Sequence, residues 1–193
     1  MASLRERNRR NAMQLTQRTA LDLFEERGFE EVTVTEIADA VGMAPSTLYR
    51  HFSTKEAIVL WDEHDASLDD AFVAALTNQP PFEALRSVFV HEVGRRYDDD
   101  LEFQLRRVRY LYRTEALHAA AIEADFVNTA ELTVGLESAL SKRDRAAAPI
   151  LSRAAMAAVD VAFDRWQASN GATPLGRLID EAFDALARLE ELR

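Results

Sequence analysis

The chain has 193 residues, of which 48% are apolar, so it can bury the core of one medium domain or two small ones. Its net charge is −10, but residues 1–55 carry eight basic and eight acidic side chains, so the excess acid lies outside them. The absence of cysteine excludes disulfides and thiolate metal sites. No apolar run approaches the roughly 20 residues that span a bilayer. We therefore expect a cytoplasmic protein that does not enter a membrane.

Helical signals dominate a chain that is poor in glycine and proline, the two residues that cost most in a helix. A first helix is predicted over about 8–27, ending at Gly28. A capping box at 33–36 begins a second helix, which Gly42 ends. Pro45 then suits the first turn of a third helix.

The remaining helices follow in the same way, and strands have almost no support. A second capping box at 53–56 predicts a long fourth helix to about Thr77, and 78–81 is the clearest break in the chain. Thr173 and Pro174 suit the N-cap and first turn of the last helix. Further helices are predicted over roughly 82–96, 99–113, 114–141, 146–169 and 174–192.

Residues 33–52 have the pattern of two short helices joined by a glycine-containing turn. The second helix presents polar side chains outward, and the stretch 44–54 contains no acidic residue, which is unusual for an ordinary surface helix. Such a helix fits the major groove of DNA, where hydroxyl and guanidinium groups reach bases or phosphates. The predicted core under it consists of Ile37, Ala38, Val41, Met43, Leu48 and Phe52.

The run from Thr33 to Ala57, together with Ala20 to Phe29 before it, resembles the tetracycline-repressor (TetR) family, over about residues 12–60. The resemblance implies an all-α, nine-helix fold. It also implies an N-terminal helix-turn-helix head, assigned to 1–55, and a C-terminal helical domain for ligand binding and dimerisation, assigned to 56–193.

The same resemblance implies which residues meet DNA. Thr47 and Tyr49 match groove-facing positions, while His51 and Lys55 match phosphate-side positions. Lys55 also lies in the first turn of a helix, where free backbone N–H groups bind phosphate. Pro45 stands where many relatives have a more flexible or polar residue. The predicted DNA-binding residues are Thr33, Thr35, Pro45, Ser46, Thr47, Tyr49, Arg50, His51 and Lys55.

The function implied is that of a ligand-responsive regulator, most simply a repressor. As a homodimer it would bind a palindromic operator in double-stranded DNA, and a small hydrophobic or acyl-type effector, apolar with a polar or anionic end, would release it. No cofactor and no metal are expected. A rigid fourth helix that reaches both Lys55 and the effector pocket would transmit effector binding to the DNA-binding head.

Aromatic and threonine side chains in the C-terminal part are candidates for the effector pocket, since pockets are mostly apolar with a few polar groups. Aromatics at helical spacing are also ordinary core, and threonines can bond their own backbone. A row formed by Arg106, Arg109 and Arg113 is either a solvated face or an anion site. The candidate ligand-binding residues are Trp61, His64, Phe89, Tyr110, Phe126, Thr129 and Phe163.

The last two helices have the pattern of a dimer seam. Ala155, Ala158 and Ala162 leave one side of the eighth helix slim enough for close helix approach. The ninth helix has a wide apolar stripe that packs on the chain's own core or, as we expect, in a four-helix dimer bundle. The stripe consists of Leu175, Leu178, Ile179, Ala182, Phe183, Leu186 and Leu189.

Two other classes of function compete with this interpretation. An enzyme is disfavoured because the chain has no Gly-rich phosphate loop and no pair of histidines at the i, i+4 spacing of a helical metal site. Its four histidines are scattered at His51, His64, His91 and His118. A protein–protein adaptor on the same fold is the other alternative, and a DNA-binding assay separates it from a regulator.

Overall fold

The computed structural model describes residues 4–62 and 65–189, with backbone alone at 65–67. Across these ranges it is all-α and contains no strand, so the predicted fold class is confirmed. A π-helical segment, Phe89–Gly94, joins the sixth and seventh helices. The helices are α1 (Leu4–Arg27), α2 (Val34–Ala40), α3 (Pro45–His51), α4 (Lys55–Leu60), α5 (Asp65–Asn78), α6 (Pro81–Val88), α7 (Arg95–Asp99), α8 (Leu101–Arg113), α9 (Glu115–Ala139), α10 (Ala148–Ala168) and α11 (Leu175–Ala187).

The nine predicted helices become eleven in the described ranges because two of them are interrupted. The predicted fifth helix is divided by the π segment. The predicted fourth helix ends at Leu60, and Trp61 has an extended ψ of 129°. The long, rigid fourth helix was therefore a wrong prediction. Helix α4 ends at Leu60 because buried side chains bind the carbonyls at its end.

The helix ends in the head follow the local sequence closely. Gly28 and Gly42 follow the first and second helices as predicted, and both adopt a left-handed backbone, with φ of 93° and 67°. The capping box between Thr33 and Glu36 is present. Pro45 is the first residue of α3. These local predictions are confirmed.

Two predicted caps are displaced by one residue. Thr54 rather than Ser53 caps α4, and its hydroxyl accepts a hydrogen bond from the backbone N–H of Ala57 at 3.1 Å. At α11 the N-cap is Pro174, which cannot offer a side-chain cap. The backbone N–H of Leu175 instead donates to the Asp98 carboxylate at 3.1 Å.

The chain divides into two compact units. The first consists of 1–63 and 106–122, and the second of 64–105 and 123–193. The sequence boundary at 55/56 assigned α4 and the segment 106–122 to the C-terminal domain, whereas both pack in the first unit. Its core consists of Leu21, Phe24, Ile37, Leu48 and Ile58, all fully buried.

The apolar stripe of α11 is core of the second unit. Phe183 is fully buried within one chain, with its ring centroid 5.5 Å from Phe82 and 6.2 Å from Phe89. Leu186 is half-buried and Leu189 is exposed. The prediction of a dimer seam is therefore wrong for most of the stripe, because these side chains are consumed by their own unit. The buried residues of the predicted seam are Ala155, Ala158 and Ala162 of α10 and Leu175, Leu178, Ile179, Ala182 and Phe183 of α11.

The range Arg145–Ala168, which contains α10, is long and apolar enough to cross a membrane by length and composition alone. One side of it, including Ala155, Ala162 and Trp166, is fully buried in the second unit. The core helix of a helical bundle has the same composition, so this observation is weak evidence for a membrane span.

The π segment crosses α11 at two glycines. A Cβ atom on Gly94 would collide with the backbone of Gly176, and one on Gly176 would lie 2.9 Å from the carbonyl oxygen of Val90. Because glycine has no Cβ, the two backbones approach more closely than any other pair of residues would allow.

Candidate nucleic-acid interface

The α2–turn–α3 element is a compact helix-turn-helix. The turn is closed by a hydrogen bond from the backbone N–H of Met43 to the carbonyl of Ala38 at 2.8 Å. Below it lie Ile37, Leu48 and Phe52, which are buried as predicted. Of the predicted core, Val41 and Met43 are only half-buried.

Helix α3 presents polar side chains to solvent. Ser46 and Arg50 are exposed, and 53% of Tyr49 is accessible. Pro45, Thr47 and His51 are half-buried. An α-helix with its side chains is about 10–12 Å in diameter, which matches a major groove about 12 Å wide.

The start of α2 is held by a polar network. The Glu36 carboxylate accepts hydrogen bonds from the backbone N–H of Thr33 and from its hydroxyl, both at 2.8 Å. Arg27 adds an ion pair at 2.7 Å. The Thr33 backbone N–H, Arg27 and the Thr33 hydroxyl lower the pKa of Glu36 to about 2. The Thr33 hydroxyl is therefore engaged in capping, whereas Thr35 is exposed.

Lys55 occupies a position that its sequence did not reveal. Its Nζ donates to the carbonyl of Phe29 at 2.5 Å and to that of Val32 at 3.1 Å. The same ammonium lies 4.2 Å from the centroid of the Phe29 ring. Lys55 thus ties the N-terminus of α4 to the loop that precedes α2. An ammonium has three donors, so one N–H remains for a phosphate.

His51, at the end of α3, has a lowered pKa. Burial is the main cause, and the positive charges of Arg9 and Arg50 add to it. At neutral pH the imidazole is therefore neutral and offers a phosphate one N–H rather than a full charge.

Two buried polar residues that sequence reasoning missed hold the end of α4, and we call them the α4 clamp. The Gln17 amide donates to the carbonyls of Ile58, Val59 and Trp61 at 2.9, 3.1 and 2.7 Å. Arg107 donates to those of Val59 and Trp61 at 3.1 and 3.2 Å. The clamp satisfies carbonyls left free by the helix end, so α4 can stop at Leu60. A signal was available, because Gln17 is a polar residue on the apolar side of α1.

Two arginines of the predicted row on α8 are engaged by neighbouring side chains. Arg106 makes ion pairs with Asp22 at 2.6 Å and with Glu25 at 2.5 Å. The guanidinium of Arg113 lies 4.5 Å from the centroid of the Tyr110 ring. The two carboxylates balance the charge of Arg106, and the anion-site interpretation stays a prediction for the exposed Arg109 and Arg113.

Two candidate effector residues belong to the first unit and pack there. The Tyr110 hydroxyl donates to the carbonyl of Phe24 at 2.8 Å, and the Tyr110 side chain is buried. The Trp61 ring stands edge-on to Phe52, with centroids 6.2 Å apart.

The other candidates that the structure describes lie in the second unit, where each makes separate contacts. Phe89 packs on Phe72, with ring centroids 5.3 Å apart. Phe163 lies 4.8 Å from Tyr97, also between ring centroids. The side chain of Phe126 is 72% exposed on α9. Two further outcomes complete the set: the hydroxyl of Thr129 donates to the Asp125 carbonyl at 2.6 Å, and His64 lies outside the described residues.

Family models match most of the chain. Residues 18–60 match the model described as bacterial regulatory proteins, tetR family. Residues 79–190 match the model described as the MftR C-terminal domain.

Two curated relatives share part of the sequence. The HTH-type transcriptional regulator TcmR of Streptomyces glaucescens is 36% identical over 125 residues, which are 60% of this chain and 54% of TcmR. The HTH-type transcriptional repressor KstR2 of Rhodococcus jostii (strain RHA1) is 33% identical over 110 residues, 50% of this chain and 53% of KstR2. The chain spans about half the length of these curated relatives.

A solved structure shares the fold. It is that of NalD, the secondary repressor of the MexAB-OprM multidrug efflux pump in Pseudomonas aeruginosa. Its TM-score is 0.59 over 94% of this chain and 96% of NalD, at 18% sequence identity. At this identity the similarity concerns the fold alone.

Proposed function

Since the chain belongs to the TetR family of bacterial transcriptional regulators, we propose that its first unit binds double-stranded DNA through α3 and that the protein is a cytoplasmic repressor rather than an enzyme. The observation that carries this proposal is the outward face of α3. It combines hydroxyl, phenol and guanidinium groups with no acidic residue from 44 to 54. Acidic side chains there would repel phosphates, whereas these groups donate hydrogen bonds to bases and phosphates.

Each predicted DNA-binding residue has a proposed role. Thr47 and Tyr49 contact base edges in the major groove. Arg50 and the remaining N–H of Lys55 contact phosphates, and His51 adds a neutral donor. Thr33 fixes the start of α2 through its cap, so that the exposed residues beside it can meet the backbone of the DNA. Thr35, Pro45 and Ser46 make the remaining contacts with the DNA.

We further propose that the protein acts as a homodimer on a palindromic operator. One seven-residue helix reads only a few base pairs, and two-fold protein symmetry is mirrored by inverted half-sites. Because Phe183 is fully buried within one chain, its side chain is not accessible to a second chain. We therefore place the dimer contact on exposed residues of the second unit.

The second unit is proposed to bind a small effector that is apolar with a polar or anionic end. Phe126 and Thr129, one turn apart on α9, remain the candidates with the most exposed aromatic surface and a nearby hydroxyl. The test is operator release by a panel of hydrophobic metabolites, acyl-CoAs included. Unchanged potency in both Phe126→Ala and Thr129→Trp would contradict this placement.

DNA binding is tested by gel shift with the region upstream of the protein's own gene. Thr47→Ala and Tyr49→Ala should each weaken binding by about 1–3 kcal/mol if the side chains touch bases. Ser138→Ala, an exposed hydroxyl deletion in α9, is the matched control and should leave affinity unchanged. Full affinity in the double variant would exclude α3 as the reading helix.

A further inference from the structure

The first turns of α1 extend beyond the core of the head. Helix α1 begins at Leu4, but residues 4–11 are all exposed and the first buried side chain is that of Met13. With a rise of 1.5 Å per residue, the nine residues 4–12 form roughly 13 Å of helix before the first buried side chain. This segment, 4–12, is called the arm below. A helix that buries nothing over two turns needs another reason for its composition.

That composition is strongly basic. The arm contains Arg5, Arg7, Arg9 and Arg10, and Glu6 is its one acidic residue. Within the described ranges, none of these four arginines has a recorded ion pair. Elsewhere in the described chain, Arg27, Arg86, Arg106, Arg165 and Arg177 each pair with a carboxylate. Arg5 and Arg9 lie one turn apart, and like charges at this spacing destabilise a helix, so the arm lacks the compensation that those five arginines have.

One row of the arm is directed toward the head. Arg5, Arg9 and Met13 are spaced by four residues and so lie on one side of α1, and Met13 is buried. The charge of Arg9 lowers the pKa of His51, which places Arg9 within electrostatic reach of the end of α3. Arg7 lies about 160° around the helix from Arg9.

We propose that the row formed by Arg5 and Arg9 is a second DNA-binding site, which takes the phosphate backbone next to the bases read by α3. This inference rests on the proposed DNA-binding function. Arginine forms paired, charge-assisted hydrogen bonds with phosphate. Arg9 and Arg50 are the positive charges that act on His51 at the end of α3. Binding of phosphates would also relieve the repulsion within the arm.

Salt dependence of DNA binding tests the proposal directly. Each phosphate contact contributes about 0.9 to the slope of log affinity against log salt concentration. The full chain is titrated with its operator duplex by fluorescence anisotropy from about 50 to 200 mM salt. Because a homodimer carries each substitution twice, Arg9→Gln should lower the slope by about two, and Arg5→Gln with Arg9→Gln by about four. Arg7→Gln should leave the slope unchanged. All these side chains are exposed, so folding should be unaffected.

A charge-matched control lies in the second unit. The double variant Arg143→Gln and Arg153→Gln removes two exposed arginines, as Arg5→Gln/Arg9→Gln does, and should not change the slope. An unchanged slope in Arg5→Gln/Arg9→Gln, or an equal loss in Arg7→Gln, overturns the proposed row. The proposal is also overturned if the arm binds anionic vesicles or RNA while the salt slope of DNA binding is unchanged in Arg5→Gln/Arg9→Gln. Absence of DNA binding by the wild-type chain contradicts the proposed function itself.

Discussion

The two units hold their helices together by different means. In the first unit, side chains of Gln17, Lys55, Arg107 and Tyr110 donate to backbone carbonyls of other elements. In the second unit, ring and small-residue packing joins the helices, and Arg86 and Arg165 add ion pairs with carboxylates of α11. Its main contacts are the cluster of Phe72, Phe82, Phe89 and Phe183, the cluster of Tyr97, Phe163 and Trp166, and the crossing of Gly94 with Gly176.

The difference follows from helix length. Helices α2, α3 and α4 have six or seven residues, too few to be stable alone or to bury a long face. They are fixed by hydrogen bonds that specify position, which suits an element that must present side chains to DNA. Helices α10 and α11 have 21 and 13 residues and are held by buried area. The predictions below set one mode of stabilisation against the other.

The largest effect is expected in the aromatic core of the second unit. Phe183→Ala removes a fully buried ring and should lower the free energy of unfolding by about 3–5 kcal/mol. Phe126→Ala is the matched control, because its ring is mostly exposed, and should change stability by less than about 0.5 kcal/mol. Urea unfolding measures both. Similar stability of the two variants would contradict the assignment of the α11 stripe to the core.

A smaller loss is expected at the glycine crossing. Gly94→Ala forces a methyl group against the Gly176 backbone and should cost about 1–3 kcal/mol. Gly135→Ala in α9 has open space around the new Cβ and should stabilise the helix by up to about 1 kcal/mol. Thermal unfolding of the pair is informative because the expected changes have opposite signs. A stabilising Gly94→Ala would show that the two backbones are not in contact.

The α4 clamp should account for a comparable part of the first unit's stability. Arg107→Met or Gln17→Leu should each cost about 1–3 kcal/mol, since buried carbonyls lose a donor. The two losses should not add, because Val59 and Trp61 accept from both residues. A double-mutant cycle by urea unfolding measures that coupling. Strict additivity would mean that the two side chains act independently.

The capping box should give the smallest effect, visible through pH. Because the pKa of Glu36 is lowered to about 2, its carboxylate stabilises the fold above the unfolded pKa of about 4.5. That contribution is lost as the pH falls toward about 2. The stability difference between wild type and Glu36→Gln should therefore shrink from neutral pH to acidic pH in urea titrations. A stability difference between wild type and Glu36→Gln that does not change with pH would show that the Glu36 carboxylate does not stabilise the cap.

Sequence reasoning was most successful where the structure depends on neighbours in the chain. Glycines at 28 and 42, the Thr33 cap and Pro45 act within one turn, so local chemistry determines them. The outward and inward sides of α3 follow from helical spacing.

The same reasoning failed where distant residues decide. The end of α4 depends on Gln17, about 41 residues earlier, and on Arg107, about 48 later. The apolar stripe of α11 satisfied the pattern of a dimer seam and of a core equally well, because periodicity gives a buried face without naming its partner.

The central claim is that the first unit presents α3 as a sequence-reading helix. Its most direct test is selection of duplexes from a randomised library by the full chain, followed by sequencing. The account predicts enrichment of an inverted repeat with half-site centres about 34 Å apart or a multiple of it. It also predicts relaxed preference at one position in each half-site for Thr47→Ala. The account would be contradicted if no sequence were enriched, or if Thr47→Ala and Tyr49→Ala kept the same base preference as the wild type.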